Sequence, residues 1–368
     1  MIILYVVSTL ERCGPTNQLF GIVKNLDRQQ FTPVVLTLSP EGHDSRWEDF
    51  VALGVDVQTL GLGRAEGLLK GAVVLRKRVA SIAPDLLHTQ GLRADSMCVR
   101  LFAGHIPQVA TLRNYPFKDY VMSFGFLQGQ LMARWHLHHL RQVSAVALVS
   151  NAIKAMVGVR LPHARVVQNG VDMDRYRVLT LADKARMRET LGLPAQVRVF
   201  MSAGLLDQRK DPQTLVEGFL AAAREDDLLL MLGDGVLRES LQARYEGCKQ
   251  VRFLGHVGNV QAFLQSSDYF ISTSLAEGLP NSVLEALACG LPCLLSDIAE
   301  HGEIIGKTPL AHLLFKVADV EALAQCLRAL CDTRYEAERA AAVEIIKAGF
   351  SAARMSKHYQ YLYRELLA

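Results

Sequence analysis

The sequence predicts an α/β protein built on two parallel, doubly wound sheets. Three observations carry this. At 368 residues the chain is longer than one hydrophobic core comfortably fills, so two domains are expected. Short apolar runs alternate with helical patterns throughout, the rhythm of strands joined by covering helices. One stretch also spells strand, broken turn and helix in succession. Tyr269-Phe270-Ile271-Ser272-Thr273 reads as a buried strand, Gly278 and Pro280 interrupt it, and a helix opens near Asn281 and stops at Gly290.

The first half opens on an apolar strand at 2–7, a loop at 8–15 and a helix at 16–26. Gly14, just before that helix, lets a ligand approach the backbone, although Pro15 removes one N–H from the same turn. Strands follow at 31–38 and 55–58. Gly61-Leu62-Gly63-Arg64-Ala65-Glu66-Gly67 imitates a dinucleotide fingerprint, but its third glycine is displaced by one and no strand feeds straight into a helix, so a loop is expected. A helix at 69–80 leads to a strand at 85–88. His88 then lies at a strand's C-terminal end, where open α/β sheets bind ligands; it serves either there or as a hydrogen-bonded loop histidine. The strand at 108–112 ends in Arg113 and Asn114. Residues 125–140 are amphipathic and carry His136, His138 and His139. Two histidines at i, i+3 could hold a metal, but with no carboxylate partner evident a solvated or acceptor-facing surface is expected. Strand 145–150, helix 153–158 and strand 164–168 bring the chain to the tight turn Asn169-Gly170-Val171-Asp172.

In the second half a bridging helix at 181–191 precedes a strand at 197–202, which runs into Gly204 and a loop carrying Arg209 and Lys210. Strand 228–232 runs into Gly233-Asp234-Gly235; strand 251–255 and a helix at 259–265 follow. Beyond the 269–290 stretch come a strand at 292–297, a turn with Glu300 and Glu303, and helices at 320–330, 334–348 and 351–366. The N-terminus of the helix at Asn281 is a ready anion site, because first-turn amides such as those of Ser282, Val283 and Leu284 point outward and the helix dipole favours a phosphate. Two carboxylates flank it: Glu277 in the turn, and Glu285 a turn inside the helix, within reach of a ribose diol.

Composition narrows the class. Hydrophobic residues make up 50% of the chain and charged ones 21%, which is globular and not disordered. Seven cysteines, an odd number with no paired C-x-x-C spacing, fit reduced thiols in a cytoplasmic protein. The apolar start lacks a basic leader, and no run approaches the ~18 apolar residues of a membrane span. A soluble or peripheral protein is expected, with no nucleic-acid partner. The charge is uneven: 19 basic residues against 13 acidic ones up to Arg175, and 21 against 24 beyond it. That is either chance scatter or a first domain facing an anionic membrane leaflet, with Arg76-Lys77-Arg78 as one contact.

The pattern from Glu277 to Pro292, E-G-L-P-x-x-x-L-E-A-x-A-x-G-x-P, closely resembles the signature of retaining, nucleotide-sugar-dependent glycosyltransferases of the GT-B fold, family 4. An ordinary strand–turn–helix corner accounts for two glutamates, but not for the interleaved Gly, Pro, Leu and Ala. Asn169-Gly170-Val171-Asp172 after a strand is a further resemblance. The resemblance implies two Rossmann-like domains facing a cleft: an acceptor-side domain at 1–172, with a last helix at about 351–368 packing back on it, and a donor-binding domain at 173–350. It implies that Glu285 holds the ribose, that amides near Asn281, Ser282, Val283 and Leu284 hold the diphosphate, and that Gly14, Gly204, Gly233 and Gly235 shape the donor turns. Glu277 would orient the sugar without acting as a nucleophile. Arg209 and Lys210 would stabilise the departing diphosphate in place of a metal. The family usually has arginine directly after the glycine at 204; Leu205 stands there, and Arg209 supplies the charge instead. His88, Arg113 and Asn114 form the expected acceptor side; relatives commonly carry histidine where Arg113 stands, so Arg113 either alters the acceptor chemistry by holding an anionic group or simply caps the strand end. The implied donor is a nucleotide sugar, UDP-linked most often. The implied acceptor is a saccharide or lipid-linked saccharide of surface polysaccharide assembly. A catalytically silent GT-B subunit and a GT-B epimerase or phosphorylase are the competing readings; a dinucleotide oxidoreductase lacks its fingerprint.

Overall fold

The computed structural model describes residues 1–368, the side chains of Arg64, Ala65 and Leu68 excepted. The chain opens with β1 (Ile2–Val7), α1 (Gly14–Lys24), β2 (Thr32–Thr37), α2 (Trp47–Ala52), β3 (Asp56–Thr59), α3 (Arg64–Leu69), α4 (Gly71–Ile82) and β4 (Leu86–Gln90). It continues with α5 (Leu92–Phe102), β5 (Gln108–Leu112), α6 (Pro116–Phe124), α7 (Phe126–Leu140), β6 (Ala145–Leu148), α8 (Asn151–Val157) and β7 (Ala164–Val166). The second half comprises α9 (Leu181–Thr190), β8 (Val199–Ala203), α10 (Pro212–Leu220), β9 (Leu228–Leu232), α11 (Arg238–Arg244), β10 (Val251–Gly255) and α12 (Val260–Ser266). There follow β11 (Tyr269–Ser272), α13 (Asn281–Ala288), β12 (Cys293–Ser296), α14 (Ala299–Ile305), β13 (Leu314–Phe315), α15 (Val320–Arg328), α16 (Asp332–Gly349) and α17 (Ala352–Leu367).

These elements form two compact units: Met1–Gly170 together with Ala352–Ala368, and Val171–Ser351. The first holds a seven-stranded sheet in the order β3-β2-β1-β4-β5-β6-β7, the second a six-stranded sheet in the order β10-β9-β8-β11-β12-β13. Every strand pairing is parallel. β1 shows why its sequence is apolar without a break. Ile3, Tyr5 and Val7 enter one core with Leu19, Ile22 and Val23 of α1 and Tyr359 and Tyr363 of α17. Leu4 and Val6 enter the other, with Leu75 and Val79 of α4 and Ala94, Cys98 and Phe102 of α5. A strand buried on both faces has no polar side to alternate with. α17 completes the first unit with polar bonds as well: Ser356 donates to the Ile22 carbonyl (2.8 Å), and Gln360 donates to that of Asn25 (3.1 Å).

In each sheet the strand order reverses once, between β1 and β4 and between β8 and β11. Crossovers leave in opposite directions there, which opens a crevice at the C-terminal strand ends. Several local expectations change. α1 begins at Gly14, so that glycine is the first helical residue and not part of a loop. The Gly61–Gly67 segment is not all loop, because α3 forms from Arg64 with Glu66 in its first turn, where the helix dipole favours an acid. α6 precedes α7; Gly125, at φ +81°, splits one apolar stretch into two helices. Glu300 and Glu303 lie in α14 and not in a turn. Among the described residues no helix is long and apolar enough to cross a membrane.

Candidate functional site

The second unit gathers most of the predicted residues at its strand-order reversal. There, Gly204, Lys210, Ser202, Thr273 and Ser274 line a small hollow between the ends of β8 and β11. The loops after β8 and β9 are pressed together: the Gly204 amide donates to the Leu232 carbonyl (3.0 Å) and the Leu206 amide to that of Asp234 (2.9 Å). Gly233 sits at φ +127°, and a Cβ there would lie 1.9 Å from the carbonyl oxygen of Gly204. A Cβ on Gly235 would lie 2.5 Å from that of Leu206. Both glycines are needed for loop-against-loop packing. Gly233→Ala meets a backbone clash and a disfavoured φ together, and is expected to cost about 3 kcal/mol or more. A urea midpoint equal to that of the unchanged protein would refute this.

The cation loop is pinned to the end of β11. Thr273 donates its hydroxyl to the carbonyls of Lys210 (2.9 Å) and Asp211 (2.7 Å), and the Leu275 amide donates to that of Arg209 (2.8 Å). Asp211, held at φ +46°, caps α10 by accepting from the Thr214 amide (3.3 Å). This anchoring brings both cations onto Glu277. Arg209 Nη1 donates to Glu277 Oε2 (3.0 Å) and to the Ala276 carbonyl (3.1 Å), while Lys210 Nζ donates to Glu277 Oε1. Burial alone would raise the Glu277 pKa. The charges of Lys210 and Arg209, with hydrogen bonds from Lys210 and Ser274, outweigh it and hold the carboxyl down to about 2. Glu277 is therefore a fixed anion at neutral pH and not a proton shuttle. Beside this group lies His301, which sequence reading passed over. It is buried, with Nδ1 2.8 Å from the Ser296 carbonyl, and burial lowers its pKa to about 4 against the opposing charge of Glu277.

α13 starts four residues after Glu277. Pro280 is its N-cap, and no side chain caps that end. One predicted amide is already spent: Leu284 N donates to the Pro280 carbonyl (3.2 Å) as the first intrahelical bond. Glu285 meets Tyr176, and here burial prevails. It pushes the carboxyl up to about 7, against the Tyr176 hydrogen bond and the charge of Arg175. Burial, reinforced by Glu285, also raises the Tyr176 pKa. Arg175 and Tyr176 were not picked out from the sequence. Their only signal is that they lie just beyond the Asn169–Asp172 turn, after Met173 and Asp174.

In the first unit the expectations fare differently. His88 is no acceptor-facing residue. It is wholly buried, with Nδ1 2.6 Å from the Tyr363 hydroxyl and Nε2 2.7 Å from that of Thr111. The rings of Tyr5, Tyr359 and Tyr363 surround it, and burial, added to by the charge of Arg113, lowers its pKa to about 3. β4 runs from Leu86 to Gln90, so His88 lies in mid-strand and not at the strand's C-terminal end, with α17 packed over it. Arg113 does stand at the strand ends, but as a clamp: Nη2 donates to Gln90 Oε1 (2.8 Å) and the Pro15 carbonyl (3.2 Å), and Nη1 to Asn169 Oδ1 (3.5 Å). Asn114 donates to Asp119 Oδ1 (3.1 Å). Two of the α7 histidines face inward and not toward solvent. His136 is buried, with Asp95 Oδ2 2.7 Å from Nε2 and the Tyr120 hydroxyl 2.8 Å from Nδ1. His139 is buried against the Trp135 carbonyl, and only His138 is exposed. No group of three or more metal-ligating side chains is found among the described residues.

Two family models match in succession: Glycosyltransferase Family 4 over residues 14–175, and Glycosyl transferases group 1 over 197–333. Among curated proteins, the chain is 28% identical over 178 residues to an Escherichia coli UDP-Gal:alpha-D-GlcNAc-diphosphoundecaprenol alpha-1,3-galactosyltransferase, a match covering 46% of this chain and 45% of that enzyme. It is 29% identical to TuaC of Bacillus subtilis, named for teichuronic acid biosynthesis, over 80% of this chain and 74% of that protein. It is 23% identical to the E. coli O-antigen biosynthesis glycosyltransferase WclY over 100% of this chain and 99% of that one. Among solved structures, Anabaena HepE in complex with UDP and glucose superposes with a TM-score of 0.82 at 19% identity, covering 99% of both chains. Sucrose-phosphate synthase of Thermosynechococcus elongatus gives 0.84 at 18% identity, covering 100% of this chain and 99% of that one. With two parallel-sheet units, a cation-gripped glutamate before an open helix end and these matches along its length, the chain belongs to the GT-B glycosyltransferases of group 1.

Proposed function

We propose that this enzyme moves a sugar from a nucleoside diphosphate, UDP foremost, to a hydroxyl of a saccharide or lipid-linked saccharide in surface polysaccharide assembly, with retention at the anomeric carbon. The observation that carries this reading is the clamp of Arg209 and Lys210 on Glu277 just ahead of α13. The diphosphate binds the first-turn amides of α13 and the two cations, which serve where a metal would otherwise serve. Glu285 accepts from the ribose hydroxyls, and Glu277, bridged to both cations, receives the sugar hydroxyls. The bond from the anomeric carbon to the phosphate oxygen breaks with its electron pair going to the phosphate. The acceptor oxygen bonds the same carbon from the same face, and its proton passes to that phosphate oxygen. This route needs no carboxylate nucleophile, which suits a Glu277 already neutralised by two partners. The names of the relatives, one for a UDP-galactose donor and a diphosphoundecaprenol acceptor and others for teichuronic acid and O-antigen, support donor and pathway class. A cytoplasmic enzyme lying peripherally on an anionic membrane completes the reading.

Arg209 standing on Glu277 also speaks against a silent subunit, because the charge absent at Leu205 is made up within the same loop. A thermal-shift panel of UDP, GDP, ADP and their sugars tests the donor. UDP at a hundredfold excess over its dissociation constant should stabilise by about 2.7 kcal/mol. No shift with any nucleotide would overturn the donor assignment, and product anomers read by NMR decide retention.

A further inference from the structure

We infer that the outer face of α7, with the α6–α7 corner, is the surface by which this enzyme docks on an anionic phospholipid bilayer; the inference rests on the peripheral-membrane reading above and names its contact. The inner face of α7 is already committed. Gly129 lies so close to α6 that a Cβ would meet the Tyr120 backbone at 2.5 Å, and Ala133, His136, Leu137 and Leu140 are buried. The opposite face is apolar again. Leu127 is 78% exposed, Leu131 69% and Trp135 51%, a stripe at helical spacing about 12 Å long. Phe126 (68%) and Phe124 (50%) extend it across the corner. A helix apolar on both sides is at odds with water on one of them, and contiguous exposed apolar surface of this kind marks an interaction site.

The surrounding charge selects the partner. From Pro116 to Arg141 the cations are Lys118, Arg134 and Arg141, all exposed, against Asp119 as the only acid. That acid is occupied by the Asn114 amide. α7 itself carries no acidic residue. Trp, Phe and Leu beside Arg and Lys is the composition of an interfacial helix, whose aromatic rings sit at the headgroup level while the cations meet lipid phosphate. α4 lies in the same helical layer, joined through α5: a Cβ on Gly71 of α4 would lie 3.1 Å from the Met97 methyl of α5, and Asp95 of α5 holds His136 of α7. It exposes Arg76, Lys77 and Arg78 and is likewise free of acids, so the basic run noticed in the sequence adds long-range attraction to the same side.

Co-sedimentation of the full chain with vesicles tests this, comparing phosphatidylglycerol-containing with pure phosphatidylcholine bilayers. At least tenfold stronger partitioning into the anionic vesicles is expected. Replacing Leu127, Leu131 and Trp135 together with serine should lower it tenfold or more while preserving melting temperature and the UDP-induced shift. Leu181→Ser, an equally exposed leucine on α9, should change nothing. In a Trp47→Phe background, Trp135 emission should shift to the blue when anionic vesicles are added. Failure of the unchanged protein to bind anionic vesicles would overturn the membrane reading and this surface together. Binding retained by the triple variant would overturn the surface alone. Self-association in the absence of lipid that the triple variant abolishes, with no vesicle binding, would reassign the face to a second copy of the chain.

Discussion

Lys210→Ala is expected to lower kcat for sugar transfer about a hundred- to a thousandfold, with a smaller change in KM. Lys210 sits within the hollow at the reversal of the second sheet and donates to a buried carboxylate. When the sugar departs, the diphosphate gains a negative charge it did not carry in the donor. A fixed cation beside it therefore gains more in the transition state than in the bound ground state, and that difference appears in kcat. Arg209 cannot compensate fully, because its guanidinium is held by both Glu277 and the Ala276 carbonyl. The substitution also removes one of two cationic partners from a buried anion, worth about 1.5–3 kcal/mol of stability, so circular dichroism and a melting curve accompany the kinetics. Lys210→Arg should recover part of the rate. A kcat for Lys210→Ala within threefold of the unchanged enzyme would remove the lysine from the chemistry.

The second large effect concerns pH and Glu285. Burial raises its native pKa to about 7 from an ordinary value of 4.5. Between those two values the unfolded chain has released the proton while the native protein keeps it. Stability attributable to this group therefore falls as pH rises through that window and levels off above about 7. Glu285→Gln removes the ionisation. The variant should match the parent near pH 4.5 and exceed it by about 1–3 kcal/mol at pH 8, several degrees in Tm for a unit of this size. UDP binding should move the opposite way. If the ionised carboxylate is what accepts from the ribose, affinity of the parent rises with pH up to about 7, and the variant loses both the affinity and its pH dependence. Melting curves at pH 4.5 and 8, each with and without UDP, read both effects. Parallel stability profiles for the two proteins would show that the carboxyl titrates normally. Glu277 has the reverse sign, since its depressed pKa contributes stability that disappears only as pH falls from 4.5 towards 2.

The two glutamates also mark how far the sequence could be read. The stretch from Tyr269 to Pro292 was legible because its signals are local: an apolar strand, Gly278 and Pro280 as breakers, and a helix that must stop at Gly290, where φ is +76°. Arg209 and Lys210 were legible as charges, but not their convergence on Glu277, which depends on Thr273 and Leu275 tethering the loop. What escaped was contact between distant segments. His88 resembled a ligand-facing residue until a helix from the far end of the chain laid Tyr359 and Tyr363 over it. Tyr176 acquires its meaning only beside Glu285, and His136 only beside Asp95. Periodicity reports which side of an element is apolar; it does not report which segment covers that side. Helix α7 was read to within a residue of its ends, at 125–140, whereas the nine-residue α6 before it was passed over.

The way the first unit is closed has a consequence for synthesis. Met355, Tyr359, Leu362 and Tyr363 belong to the same core as β1, yet they are translated after the whole of the second unit. On the ribosome the second unit can therefore reach its native state while the first still lacks one wall, with the apolar side of α1 uncovered. Nascent chains halted before α17 should accordingly bind chaperones through their N-terminal half, and the order of maturation should run opposite to the order of translation.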